Sequence, residues 1–168
     1  FRLLETLGKK VEVQGKRVKV SYGKALLTHA QYDIVKQMRA SILVAGPLLA
    51  RFGKVRVSLP GGCAIGMRPI DIHLKGLEAM GAVSSTKEGD VVLTGALEPS
   101  RVKLRFPSVG ATENLMMAAA AVEGETVIEN AAREPEMEDL GAFLTSLGAT
   151  VKGAGTSRVS VRGAARLK

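Results

Sequence analysis

Apolar positions recur along this chain with two periods, and the change from one to the other marks the elements. Alternation runs through Val11, Val13, Val18 and Val20 among Lys9, Lys10, Lys16, Arg17 and Lys19, which predicts a two-stranded hairpin with a basic solvent face and a buried apolar face. Helical spacing joins Ile70, Leu74 and Leu77, and again Met137, Leu140, Leu144 and Leu147. Two other stretches, 40–53 and 111–124, are helix-length, rich in apolar residues and closed by a glycine. Within the second, Leu115 to Val122 is apolar on every face, so that helix is expected to be wholly buried.

These elements repeat. Ala40 to Gly53 and Ala111 to Gly124 lie at a constant offset of 71 residues. Each is followed by a strand-like run, Val55 to Leu59 or Thr126 to Asn130, then by one of the second helices, and then by Met80-Gly81-Ala82-Val83 or Leu147-Gly148-Ala149-Thr150 ahead of a hairpin. Leu4, Leu7, Gly8 and Val11 repeat that last signature once more. The chain therefore divides into residues 1–20, the tail of a first unit, residues 21–96, a second unit, and residues 97–168, a third. The predicted class is α/β (α+β), with units of strand-helix-strand-helix-strand-strand. By comparison with its sisters the first unit lacks its leading helix and the strand behind it. A single unit cannot cover its apolar face, so the units are expected to pack about a threefold-like axis with helices inside and sheets outside.

Composition narrows the partners. With 46% hydrophobic residues, this is a globular chain. Its longest apolar stretch, Ala40 to Ala50, lies between Arg39 and Arg51 and falls short of the roughly 18 residues that a membrane-spanning helix needs. A net charge of +8 invites an anionic partner. Aromatic residues are only 4%, too few for the stacking surfaces of single-strand binders, so neither nucleic acid nor membrane is expected as a partner. One cysteine in the whole chain makes no internal disulfide and fits a reducing, cytoplasmic compartment.

That cysteine, Cys63, lies in Pro60-Gly61-Gly62-Cys63-Ala64-Ile65-Gly66, five residues before Arg68. A lone cysteine is ordinarily a small buried hydrophobe. Here glycines on both sides strip the loop of side chains, so its backbone N–H groups can face an anion. The nearby arginine and a following helix favour the thiolate.

The run Met38-Arg39-Ala40-Ser41 through Gly46-Pro47-Leu48-Leu49-Ala50-Arg51-Phe52-Gly53, the Cys63 loop, Arg68-Pro69-Ile70-Asp71-Ile72-His73, Ser108-Val109-Gly110-Ala111-Thr112 and Glu129 to Glu136 together resemble one family over essentially the whole chain. It is the enolpyruvyl transferase family of UDP-N-acetylglucosamine 1-carboxyvinyltransferases. The resemblance implies an inside-out α/β barrel and a role opening peptidoglycan synthesis. The reaction moves enolpyruvyl from phosphoenolpyruvate to the 3'-hydroxyl of UDP-N-acetylglucosamine, with no cofactor and no metal. It also implies a second domain of the same chain, which supplies a general base, so that the present residues alone are expected not to turn over.

Residue by residue, Cys63 resembles the family's catalytic cysteine, described as general acid and as the thiol that attacks C2 of phosphoenolpyruvate, and as the residue alkylated by fosfomycin. Arg68 matches a position contacting phosphate and phosphoenolpyruvate, and Arg39 one contacting the sugar nucleotide. Pro69, Ile70, Asp71 and Ile72 match the segment along the uridine, and Ser108, Val109 and Gly110 a helix N-terminus near the diphosphate. Asp71 serves equally as a first-turn acid. Where some members have a lysine two residues before the serine, this chain has Phe106, which stacks on the nucleotide or packs against it. Glu134 and Glu136 read as structural or interdomain, and His73 as a satisfied helix histidine. Two rivals stand beside this reading: an enolpyruvyl transferase of the same fold acting on another alcohol, such as the shikimate-pathway enzyme, and a non-catalytic basic binding module.

Overall fold

The computed structural model describes residues 1–168 apart from Lys24, Gln31, Lys36, Gln37, residues 59–69, Ala165 and Lys168, and gives the backbone only of Ile34 and Arg39. The chain opens with α1 (Arg2–Thr6) and an antiparallel hairpin of β1 (Lys9–Gln14) and β2 (Arg17–Tyr22). A four-stranded sheet follows, with β3 (His29–Ala30), β4 (Lys54–Ser58), β5 (Val83–Lys87) and β6 (Asp90–Thr94) in the order β3-β4-β6-β5. A second sheet has β7 (Arg101–Lys103), β8 (Gly124–Glu129), β9 (Thr150–Lys152) and β10 (Arg158–Gly163) in the order β7-β8-β10-β9. The two share a topology: the first pair is parallel and the other two are antiparallel.

Parallel neighbours need a crossover, and helices provide it. Between β3 and β4 run α2 (Tyr32–Val35), a 3₁₀ turn (Arg39–Val44) and α3 (Ala45–Phe52), while α5 (Val109–Ala120) joins β7 to β8. Helices α4 (Asp71–Ala79) and α6 (Pro135–Ser146) precede the hairpins β5-β6 and β9-β10. Both end the same way. Gly81 and Gly148 take positive φ, +101° and +112°, and Ala82 and Ala149 donate back to Leu77 and Leu144. Gly8 closes α1 in the same manner at φ +90°, a conformation that a β-carbon would strain.

Helix α5 is the centre of the packing. Ala111, Leu115, Met116, Ala118, Ala119 and Ala120 are buried and α3, α4 and α6 lie against the helix, but Met117 and Glu113 are only partly buried, so α5 is not wholly covered as its all-round apolar pattern predicts. From the sheets, Val55, Val57, Val91 and Leu93 face this core on one side and Ile128, Val159 and Val161 on the other. Among the described residues no helix is long and apolar enough to cross a membrane.

Two expectations need correction. The stretch 40–53 is not one helix: residues 39–44 wind as a 3₁₀ turn and the α-helix begins at Ala45. Pro47 has no N–H to give to Leu43, and the Gly46 N–H is turned outward to Asn114 Oδ1 at 2.7 Å. The valine face of the first hairpin is also not buried. Val13, Val18 and Val20 are 56%, 47% and 48% exposed. Unlike β5-β6 and β9-β10, this hairpin has no inner strand beside it among the described residues, and two strands alone bury little.

Where β4 ends, Asp90 on β6 is buried and accepts from His29 Nε2 at 3.1 Å and from Arg56 Nε, while Arg56 also reaches Glu88 at 3.0 Å. Burial pushes the Asp90 carboxyl up, but hydrogen bonds from Ser58 and Arg56, the guanidinium charge and His29 outweigh it and hold it below its ordinary value. A depressed carboxylate stabilises the fold above the unfolded-state value of about 3.9 and loses that contribution as pH falls through the folded value. Asp90→Asn is therefore expected to cost about 1–3 kcal/mol at pH 7, with the gap from wild type closing below about pH 4 in chemical denaturation. A gap that stays constant down to pH 3 would argue that Asp90 acts by packing alone.

Candidate active site

Three elements converge on a cavity of about 420 Å³, within the range of small-molecule sites. The 3₁₀ turn contributes Ala40, Ile42 and Leu43, α4 contributes His73, and the start of α5 contributes Ser108, Val109, Gly110 and Glu113, with Phe106 on the approach to α5. The cavity thus joins the segment that opens with Arg39 to the segment at Ser108, two stretches singled out separately in the sequence.

Ser108 caps α5. Its backbone is extended, its Oγ accepts from the Ala111 N–H at 3.4 Å, and its carbonyl accepts from both the N–H and the hydroxyl of Thr112. The first turn leaves the N–H groups of Val109 and Gly110 without intrahelical acceptors, and the helix dipole adds partial positive charge there. Ile70 stands at the N-cap of α4 and is buried, as is Ile72, while Asp71 is the first residue of the helix proper. Asp71 Oδ2 pairs with Arg105 at 3.1 Å, and among the described residues its buried Oδ1 has no hydrogen-bond partner. Arg39 begins the 3₁₀ turn, and its side chain lies outside the described residues. So do Cys63, Arg68 and Pro69, whose segment joins β4 to α4.

Phe106 does not pack into the core. It is 47% exposed, lines the cavity, and carries the Arg105 guanidinium 5.5 Å from its ring centroid, so the ion pair with Asp71 and this contact hold Arg105 beside the ring. Glu113 brings an acid to the same wall. Burial and the neighbouring Glu136 push its carboxyl above its ordinary value.

Sequence reasoning missed two residues here. His73 is a buried helix histidine, as expected, but it also faces this cavity. Asn114 is wholly buried beside it, 3.2 Å from His73 Nδ1. The available signal was a lone amide in an otherwise apolar helix. Among the described residues no group of His, Cys, Asp and Glu is placed to hold a metal ion.

The mixed sheets and the helices that join them recur in known proteins. The chain belongs to the EPSP synthase (3-phosphoshikimate 1-carboxyvinyltransferase) family, whose pattern matches residues 1–168. Among curated relatives, it is 52% identical over 164 residues to a UDP-N-acetylglucosamine 1-carboxyvinyltransferase of Elusimicrobium minutum (strain Pei191), covering 97% of this chain and 39% of that protein. A protein of the same name from Geotalea uraniireducens (strain Rf4) is 53% identical over 168 residues, covering 99% and 40%. The chain thus spans about 40% of the length of the curated relatives it matches. In three dimensions it resembles the enolpyruvyl transferase NikO from Streptomyces tendae, with a TM-score of 0.79 at 20% identity over 97% of this chain and 39% of that one. EPSP synthase from Acinetobacter baumannii gives 0.70 at 21% identity over 99% and 38%. Both share the fold.

Proposed function

We propose that the full-length protein transfers enolpyruvyl from phosphoenolpyruvate to the 3'-hydroxyl of UDP-N-acetylglucosamine with release of phosphate, the opening step of peptidoglycan synthesis. The observation that carries this reading is the meeting of the 3₁₀ turn behind Arg39, the first turn of α4 at His73 and the N-terminus of α5 around one cavity, in a chain whose named relatives are transferases of that acceptor. Ser108, Val109 and Gly110 receive the diphosphate on backbone N–H groups, where the helix dipole favours an anion. Ile70, Asp71 and Ile72, with Pro69, read the uridine, and Arg39 contacts the sugar nucleotide. Phe106 supplies an apolar wall.

The chemistry assigned to Cys63 and Arg68 balances. The sugar hydroxyl oxygen bonds to C2 of phosphoenolpyruvate while the Cys63 thiol gives its proton to C3, and the hydroxyl proton passes to a base of the second domain. The tetrahedral adduct then breaks its C2–O bond to phosphate as C3 returns a proton to the thiolate, leaving the vinyl ether and inorganic phosphate. Arg68 neutralises the phosphate as it leaves. The loop that carries Cys63 is the segment fosfomycin would alkylate.

The shared topology of the two sheets and the repeated helix endings at Gly8, Gly81 and Gly148 support an inside-out α/β barrel in which residues 1–20, 21–96 and 97–168 belong to three related units. In that arrangement the open edge of β2 and its valine face are covered by a strand and helix of the first unit, and a second domain closes the cavity. The reaction takes place in the cytoplasm.

Phosphate release tests the acceptor. Full-length protein given phosphoenolpyruvate is expected to release phosphate with UDP-N-acetylglucosamine and at least about 10²-fold more slowly with 3-phosphoshikimate, since a site built for hydrogen bonds to one acceptor leaves them unpaired with another. The 168 residues alone are expected to release none. Preference for 3-phosphoshikimate would replace the proposed acceptor.

A further inference from the structure

Asn114 lies in the most apolar helix of the chain and is completely buried. A buried amide is costly unless its polar atoms are paired, and here each is. The Gly46 N–H donates to Oδ1 at 2.7 Å. A backbone N–H can only donate, so the oxygen of Asn114 is the atom that faces Gly46. The amide nitrogen then faces the opposite way, donating to the Ile42 carbonyl at 3.2 Å and lying 3.2 Å from His73 Nδ1. Gly46 N–H and Ile42 C=O are the i and i−4 groups that an unbroken helix would have joined, so one amide fills the gap between the 3₁₀ turn and α3. The close fit depends on Gly46, where a β-carbon would come within 2.5 Å of Asn114 Oδ1.

The same logic fixes the histidine. An NH₂ group only donates, so His73 Nδ1 accepts and carries no proton. An accepting Nδ1 leaves the ring proton to Nε2, on the side of Gly110, where a β-carbon would lie 3.5 Å from Nε2. Both His73 and Gly110 line the cavity. The opposite neutral tautomer would turn an Nε2 lone pair toward that wall and repel the acceptor oxygens of a sugar or diphosphate.

We infer that Asn114 is a positioning residue of the active site: its amide holds the turn that begins at Arg39 against α5 and locks His73 as the Nε2–H tautomer on the cavity wall. The functional half of this inference rests on the reading of the cavity as the sugar-nucleotide side of the site. The ring nitrogens of His73 in ¹⁵N-labelled full-length protein, observed by NMR at neutral pH, are expected to show a proton on Nε2 and none on Nδ1. Asn114→Asp keeps an acceptor for the Gly46 N–H but removes the donor toward Nδ1, so a proton is expected to appear on Nδ1. A carboxylate beside Nδ1 also favours the imidazolium, which keeps its Nε2 proton, so the KM is read at His73 itself. His73→Leu should raise the KM for UDP-N-acetylglucosamine about tenfold, the scale of one hydrogen bond, while that for phosphoenolpyruvate stays within about twofold, and His73→Gln, whose Nε2 amide still donates, should keep both near wild type. These two variants and the wild-type spectrum decide the matter even if Asn114→Asp fails to fold. A wild-type ring protonated on Nδ1 would overturn the inference, as would an unchanged KM for UDP-N-acetylglucosamine in His73→Leu. Absence of wild-type turnover with UDP-N-acetylglucosamine would overturn the functional reading together with its KM half, whereas a wrong tautomer in an active enzyme overturns the inference alone.

Discussion

Cys63→Ala in the full-length protein is expected to lower turnover of phosphoenolpyruvate with UDP-N-acetylglucosamine by at least about 10²-fold, the usual contribution of a positioned general acid. The proton that C3 receives must come from a group near it, and the glycine-flanked loop offers one thiol and no other titratable side chain between Leu59 and Met67. Water is a poor substitute because it is neither positioned nor tuned in pKa. Substrate affinity should change little, since Arg68, Asp71 and the α5 N-terminus would carry binding. A variant that keeps turnover within about tenfold of wild type would remove Cys63 from the mechanism. A variant that loses binding together with turnover would make the loop's role structural.

The largest effect on stability is expected at Leu115. Its side chain is fully buried in the middle of α5, and its methyl groups fill the space opposite Gly76, coming within 2.8 Å of where a β-carbon on that glycine would stand. Leu115→Ala removes those contacts at the point where α4 crosses α5, and the glycine side has no atoms with which to close the void. A loss of about 3 kcal/mol is expected, in the range for buried leucines that leave a cavity. Leu27→Ala, at a side chain 53% exposed, should cost under about 0.5 kcal/mol and serves as the control. Equal midpoints for the two variants in urea would show that α5 is not the hub of this core.

Periodicity carried much of the architecture. The all-round apolar pattern of residues 115–122 corresponds to the buried part of α5, and the glycines at 8, 81 and 148 correspond to three helix endings with positive φ. Such features depend on neighbours in sequence, which is why they can be read there. What could not be read depends on partners far along the chain. The break ahead of Ala45 needs the amide of Asn114, 68 residues beyond Gly46. The Asp90 carboxylate draws on His29, 61 residues earlier. The exposure of Val13, Val18 and Val20 reflects the absence of an inner strand beside β2 among the described residues, which alternation along the hairpin cannot reveal.

The site divides in the same way. Ser108, Val109 and Gly110 were legible as a helix start from the resemblance, and Ser108 caps α5. Their meeting with the 3₁₀ turn and α4 required the fold. Cys63 is a candidate from its glycines and from the resemblance, and its segment lies outside the described residues. His73 and Asn114 were the opposite case, ordinary in sequence and informative only once the distance between them was known.

The acceptor and the bond formed are the centre of this account, and the product reports both. Full-length protein incubated with phosphoenolpyruvate labelled with ¹³C at C2 and C3 and with UDP-N-acetylglucosamine should yield, by ¹³C NMR, a sugar nucleotide bearing a labelled vinyl ether on its 3' oxygen and one inorganic phosphate for each transfer. Label that stays in phosphoenolpyruvate, or that moves to 3-phosphoshikimate in a mixture of the two acceptors, would contradict it.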